Sequence, residues 1–223
     1  TAIGNSALAF NQADNNTAVG YHAGYSNTTG IQNILVGYQA GYAATGSYMT
    51  AVGYQAGYNN QDAAVGNSFF GYAAGLANTT GVANNAFGQG SFLDNTTGGY
   101  NTSMGSGSLA NNTTASYNTA VGHQAGHANT TGLYETFVGA YAGAGNTTGE
   151  GNSALGVQAL ETNTTGNYNT AIGRFTLKSN TTASNNTAVG YQAGYSNTTG
   201  EIHAFGMNAG YFNTTGTNNT AIA

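Results

Sequence analysis

The sequence predicts an all-β chain, a parallel β-solenoid (β-roll or β-helix) of about 13 coils with a 17-residue period. Three observations carry this expectation: a glycine that returns at a nearly fixed interval, an apolar residue always in front of it, and an Asn-Thr-Thr-Gly turn in most copies. The glycine stands at Gly4, Gly20, Gly37, Gly53, Gly71, Gly88, Gly105, Gly122, Gly139, Gly156, Gly173, Gly190 and Gly206, with Ala223 in the next slot. Its spacings are 16, 17, 16, 18, then seven of 17, then 16 and 17. Residues 186–200, NTAVGYQAGYSNTTG, are the clearest copy. A unit this short cannot bury a core alone and must rest on its neighbours.

The apolar column in front of the glycine is Ile3, Val19, Val36, Val52, Phe70, Phe87, Met104, Val121, Val138, Leu155, Ile172, Val189, Phe205 and Ile222. None of its members is polar, so the column is expected to face a core. The residue before it is mostly Ala, and the one before that mostly Thr. Short β-branched segments ended by Gly read as strands of four or five residues. The Gly content and the two-residue alternation exclude helix.

Three residues after the glycine the side chain is always small, which implies close approach of neighbouring backbones. Four after it, Gly alternates with Leu8, Phe92, Leu109, Leu160 or Leu177. Copies with Gly there usually carry Tyr one or five residues after the recurring glycine, as in Tyr21 and Tyr25 or Tyr38 and Tyr42. Copies with Leu or Phe carry no Tyr at either place. The expectation is volume exchange, a tyrosine ring lying over the Gly or an aliphatic chain growing from it. The same columns hold His123, His127, Arg174, Lys178 and Glu161, so they reach solvent. Glu161 and Lys178 are 17 residues apart in one column and are expected to pair.

Asn stands seven residues after the glycine in twelve of thirteen copies. Asn-Thr-Thr-Gly suits a turn that needs positive φ. A second Asn column precedes the strands, and identical Asn in successive layers can form amide ladders. Each coil thus reads as strand, glycine bend, strand and turn, and thirteen layers at about 4.8 Å give a rod of roughly 60 Å.

Composition bounds the function. Of 223 residues only 4% are charged, with two bases against seven acids and no Pro, Cys or Trp. No basic patch serves nucleic acid, and no apolar run of 18 residues offers a transmembrane helix, so neither nucleic acid nor membrane insertion is expected. Both ends fall mid-repeat, at Thr1-Ala2-Ile3-Gly4 and Thr220-Ala221-Ile222-Ala223. Residues 1–223 therefore read as a single repeat array from a longer fibre, with ends whose register allows head-to-tail continuation into a filament.

The copies Asn101-Thr102-Ser103-Met104-Gly105-Ser106-Gly107-Ser108 and Asn84-Asn85-Ala86-Phe87-Gly88-Gln89-Gly90-Ser91 resemble the head repeat of YadA-type trimeric autotransporter adhesins. The whole chain also resembles repeat regions upstream of tail-fibre-type domains, which run in N-T-A-I-G-Y-Q-A-G-Y and N-T-T-G units. These resemblances imply a left-handed parallel β-roll, a homo-oligomer of three chains side by side, and an extracellular place on a cell or virion surface.

Ten Asn-Thr-Thr triplets fit the N-x-[ST] glycan-acceptor pattern, at Asn27, Asn78, Asn95, Asn112, Asn129, Asn146, Asn163, Asn180, Asn197 and Asn213. The competing reading is that Asn-Thr-Thr-Gly is simply the turn this fold needs. Tyr21, Tyr38, Tyr54, Tyr72 and Tyr191 are candidates for a contact surface, meeting a neighbouring chain or a glycan, or shielding their own Gly-rich backbone. Threonine arrays also suggest ice binding, although adjacent Thr in a turn should point in different directions. His22, His123, His127 and His203 offer no third ligand, and Asp14, Asp62 and Asp94 are not periodic as a calcium repeat requires. No cofactor, metal or catalytic set is expected. The chain reads as a structural fibre or adhesin shaft, with a carbohydrate- or ice-binding solenoid as the alternative.

Overall fold

A computed structural model of the chain describes residues 1–61 and 63–223. Asp62, one of the three aspartates weighed against a calcium repeat, lies outside the described residues. The architecture is an all-β parallel solenoid of about 13 turns with a period near 17 residues, and among the described residues there is no helix.

Two compact units divide the chain, Thr1–Ala115 and Ser116–Ala223. The first holds β1 (Ala2–Ile3), β2 (Thr17–Val19), β3 (Ile34–Val36), β4 (Thr50–Val52), β5 (Ser68–Phe70), β6 (Asn85–Phe87) and β7 (Thr102–Met104). The second holds β8 (Thr119–Val121), β9 (Thr136–Val138), β10 (Ser153–Leu155), β11 (Thr170–Ile172), β12 (Thr187–Val189), β13 (Ile202–Phe205) and β14 (Asn219–Ile222). Within each unit every strand pairs in parallel with its neighbours in sequence, at a register that keeps like columns together: Val19 against Val36, Thr170 against Thr187.

Each coil has one short strand rather than two, and most are three residues long. The segment expected as a second strand is a run in which left-handed residues alternate with others. Positive φ recurs two residues after the recurring glycine (Gln39, +53°; Gln192, +56°) and again four after it. Backbone hydrogen bonds between layers continue through this run, as in Gln39 N–H to Tyr21 O at 2.8 Å and Gly24 N–H to Ala40 O at 2.9 Å. The recurring glycine itself is dictated by close approach: at Gly37, φ is +138° and a Cβ would collide with the carbonyl oxygen of Gly53.

Alternation along a three-residue strand puts its first and third residues outward and its middle residue inward. The Ala column is accordingly the buried one, with Ala18, Ala51 and Ala86 in one unit and Ala120, Ala171 and Ala188 in the other all fully buried. The apolar column predicted to face a core faces out instead. Met104 is 44% exposed, Leu155 51% and Phe205 43%. This is a correction of parity: the Gly ends the strand one residue after Val, so Val shares its face with Thr, not with Ala.

The core is narrow and is filled by few large side chains, Leu35, Met49, Phe69, Phe92 and Leu109 in the first unit and Phe137, Leu160, Leu177 and Ile202 in the second. Volume exchange does operate, but its partners are these buried groups and not the tyrosines. A Cβ at Gly41 would sit 2.8 Å from Leu35 Cδ2 and 2.9 Å from Met49 Cε, while Phe137 occupies the space beside Gly143. Where the strand centre is Ala154 or Ala171, Leu160 or Leu177 grows inward from that same position and is fully buried.

Candidate functional site

The most ordered polar feature of the solenoid lies inside it. In the second unit Asn146 Nδ2 donates to Asn129 Oδ1 at 3.0 Å, Asn163 to Asn146 at 2.7 Å, Asn180 to Asn163 at 2.8 Å, Asn197 to Asn180 at 3.2 Å and Asn213 to Asn197 at 2.9 Å. The first unit repeats this between Asn60, Asn78, Asn95 and Asn112, and between Asn11 and Asn27. Every member of the ten triplets also closes its own turn, donating to the carbonyl three residues on, as Asn27 does to Gly30 at 2.9 Å and Asn163 to Gly166 at 2.9 Å. The turn residues Asn27 and Gly30 do not have positive φ. Asn is selected for its amide, and Gly because a Cβ at Gly81 would strike the Gly98 carbonyl of the next layer.

The ten candidate glycan acceptors lie on the inner ladder in this geometry. Asn27, Asn78, Asn95, Asn112, Asn129, Asn146, Asn163, Asn180 and Asn197 are fully buried, and Asn213 is half-buried with both of its amide bonds made. A sugar on Nδ2 would have to displace the next layer. The two threonines of each turn point apart, as expected. In most turns the first is half-buried and donates its hydroxyl to the next turn, as Thr147 does to Thr164 O at 2.9 Å, while Thr148, Thr165 and Thr182 stand exposed; Thr28 and Thr214, at the first place, are exposed.

A second ladder links strand starts. The backbone N–H of Asn169 donates to Asn152 Oδ1 and that of Asn186 to Asn169 Oδ1, both at 3.0 Å. Glu135 interrupts this column and is 1% exposed. It accepts from Asn152 N–H at 2.9 Å and from Asn152 Nδ2 at 3.3 Å. Burial pushes its carboxyl up to about 9, and the hydrogen bonds from Asn152 pull the other way.

Outside, Tyr21, Tyr38, Tyr54 and Tyr72 form one continuous stack with ring centroids 5.2, 5.0 and 5.1 Å apart and nearly parallel planes. Tyr25, Tyr42 and Tyr58 form a second, at 5.1 and 5.0 Å. Tyr191 stands apart from these in the second unit, edge-on to Phe175 at 6.2 Å. The expected pair of Lys178 and Glu161 is made at 3.4 Å, and Arg174 lies over the Phe175 ring at 4.3 Å.

A further aromatic row escaped the sequence reading. Tyr48, Tyr100, Tyr117, Tyr134 and Tyr168 all stand five residues before the recurring glycine, and that spacing was the available signal. Their exposures run from 52% to 61%. All five are left-handed, with φ between +56° and +62°, at a roughly 1–2 kcal/mol cost for a residue with a side chain. Other layers fill this position more cheaply, with Asn15, Gly66, Gly151, Asn185 and Asn218.

Among the described residues no three His, Asp or Glu side chains gather as a metal site would require. Comparison with family models, with curated proteins and with solved structures returns no match.

Proposed function

We propose that this solenoid is a structural shaft, an extracellular fibre segment of adhesin or tail-fibre kind on a cell or virion surface, which self-assembles side by side into a homo-oligomer. The observation that carries the reading is the outward apolar column. In the second unit it runs Val121, Val138, Leu155, Ile172, Val189, Phe205 and Ile222, one residue per layer, without a polar interruption. Exposed apolar rows of this regularity mark contact surfaces, and the flanking Thr column adds no charge to oppose a neighbour. A second copy carries the same column at the same spacing, so parallel chains meet residue for residue. The resemblance to trimeric adhesin heads supports three chains by analogy.

Sedimentation velocity across a concentration series tests this. The wild-type chain is expected to associate, and Val138→Thr combined with Ile172→Thr, which keeps β-branched residues on the strand, is expected to shift it to monomer at unchanged Tm. A wild-type chain that stays monomeric at high concentration contradicts the reading.

A further inference from the structure

We propose that the unit Ser116–Ala223 carries a carbohydrate-binding platform on Tyr134, Gly151 and Tyr168, with a pyranose ring of a neutral oligosaccharide as its ligand. A sugar ring packs its C–H face on the electron-rich face of an aromatic ring, so the ring face must be open. Tyr38 and Tyr54 of the long stack do not meet that need, because each is covered on both sides by its neighbours.

The later row is built differently. Tyr134 stacks on Tyr117 at 5.5 Å, and the layer on its other side offers Gly151 in place of a ring. Tyr168 leans into the space above Gly151, where a Cβ would lie 2.8 Å from its Cδ1 and 2.9 Å from its Cε1. Among the described residues no other ring contacts Tyr168, and the layer beyond it carries Asn185. Tyr134 is 57% exposed and Tyr168 61%. Both are held in left-handed backbone, at a column where Asn, Gly, Gln32 and Ala83 serve in other layers.

Two polar residues flank the platform in the chain. Glu150 directly precedes Gly151, its N–H donates to Asn167 Oδ1 at 2.8 Å, and its carbonyl accepts the Tyr168 N–H at 2.9 Å. Asn185 follows on the exposed side. The Glu150 carboxylate and the chain's net charge of -5 select a neutral sugar over an acidic one.

Isothermal titration of the whole chain with neutral tetrasaccharides of glucose, N-acetylglucosamine, mannose and galactose, beside polygalacturonate, tests the proposal. At least one neutral tetrasaccharide is expected to bind and polygalacturonate is not. Tyr168→Asn is expected to weaken binding at least tenfold while raising Tm, since Asn185 already occupies the equivalent left-handed position. Tyr38→Ser, in the closed stack, is expected to leave affinity within twofold. No heat with any neutral sugar, preference for polygalacturonate, or unchanged affinity in Tyr168→Asn overturns the proposal. Sedimentation of Tyr168→Asn separates it from lateral assembly, which uses the strand face and is expected to persist.

Discussion

The backbone N–H of Asn152 donates to Oε2 of Glu135 at 2.9 Å, where other layers of the same column offer an Asn oxygen. Around the Glu135 carboxyl the side-chain partners are Asn146 and Asn152, and the nearby charge is another acid, Glu150. Among the described residues no cation is set against it. Its folded value, about 9, lies above the ordinary 4.5, so its proton belongs to the folded state. Stability from this site is complete below the unfolded value and is lost as pH rises from 4.5 towards 9. At about 1.4 kcal/mol per unit, roughly 3 kcal/mol is gone at pH 7 and at most about 6 by pH 9.5. Thermal melts at pH 5, 7 and 9.5 are expected to show a falling Tm for the wild-type chain. Glu135→Asn, which restores the column, is expected to flatten that dependence.

Asn163 makes the inner ladder continuous between Asn146 and Asn180. Asn163→Ala leaves a buried amide donor of Asn180 and the buried side-chain oxygen of Asn146 short of partners, at roughly 1–3 kcal/mol for each group left unsatisfied. A loss of about 2–4 kcal/mol in urea unfolding is expected. The exposed Thr165→Ala, two residues away, is expected to change stability by less than about 0.5 kcal/mol.

Phe137 and Gly143 share one volume inside their coil. Phe137→Ala alone is expected to cost about 3–5 kcal/mol through the cavity it opens. Gly143→Leu alone overpacks the site and is expected to cost about 1–3 kcal/mol. Combined, they recreate the arrangement of Ala154 with Leu160, and φ at Leu160 (+54°) nearly equals that at Gly143 (+57°). The double variant is expected to lie within about 1.5 kcal/mol of wild type, which a double-mutant cycle in denaturant resolves.

The solenoid, its period and its turns were legible because one Gly and one Asn recur in nearly every coil, and backbone approach and amide ladders tolerate few substitutes. The pairing of Lys178 with Glu161 followed from the same arithmetic. Facing was not legible. A three-residue strand has no alternation long enough to set its parity, so the uniformly apolar Val189 column looked more like a core than the Ala188 column that is one. The Asn-Thr-Thr pattern was ambiguous for a related reason, since a buried ladder and an acceptor sequence are written with the same residues. Tyr134 and Tyr168 were missed because their column is mixed, holding Asn or Gly as often as Tyr.

The inward ladder requires the repeated asparagines to be core and not surface. Hydrogen exchange of the Asn side-chain amides, followed by NMR on uniformly labelled chain, measures this directly. Nδ2 hydrogens of Asn146, Asn163 and Asn180 are expected to exchange orders of magnitude more slowly than those of exposed Asn185, at rates close to the strand backbone. Exchange as fast as that of Asn185 would mean these side chains meet solvent, and the inward ladder of Asn146, Asn163 and Asn180 would be contradicted.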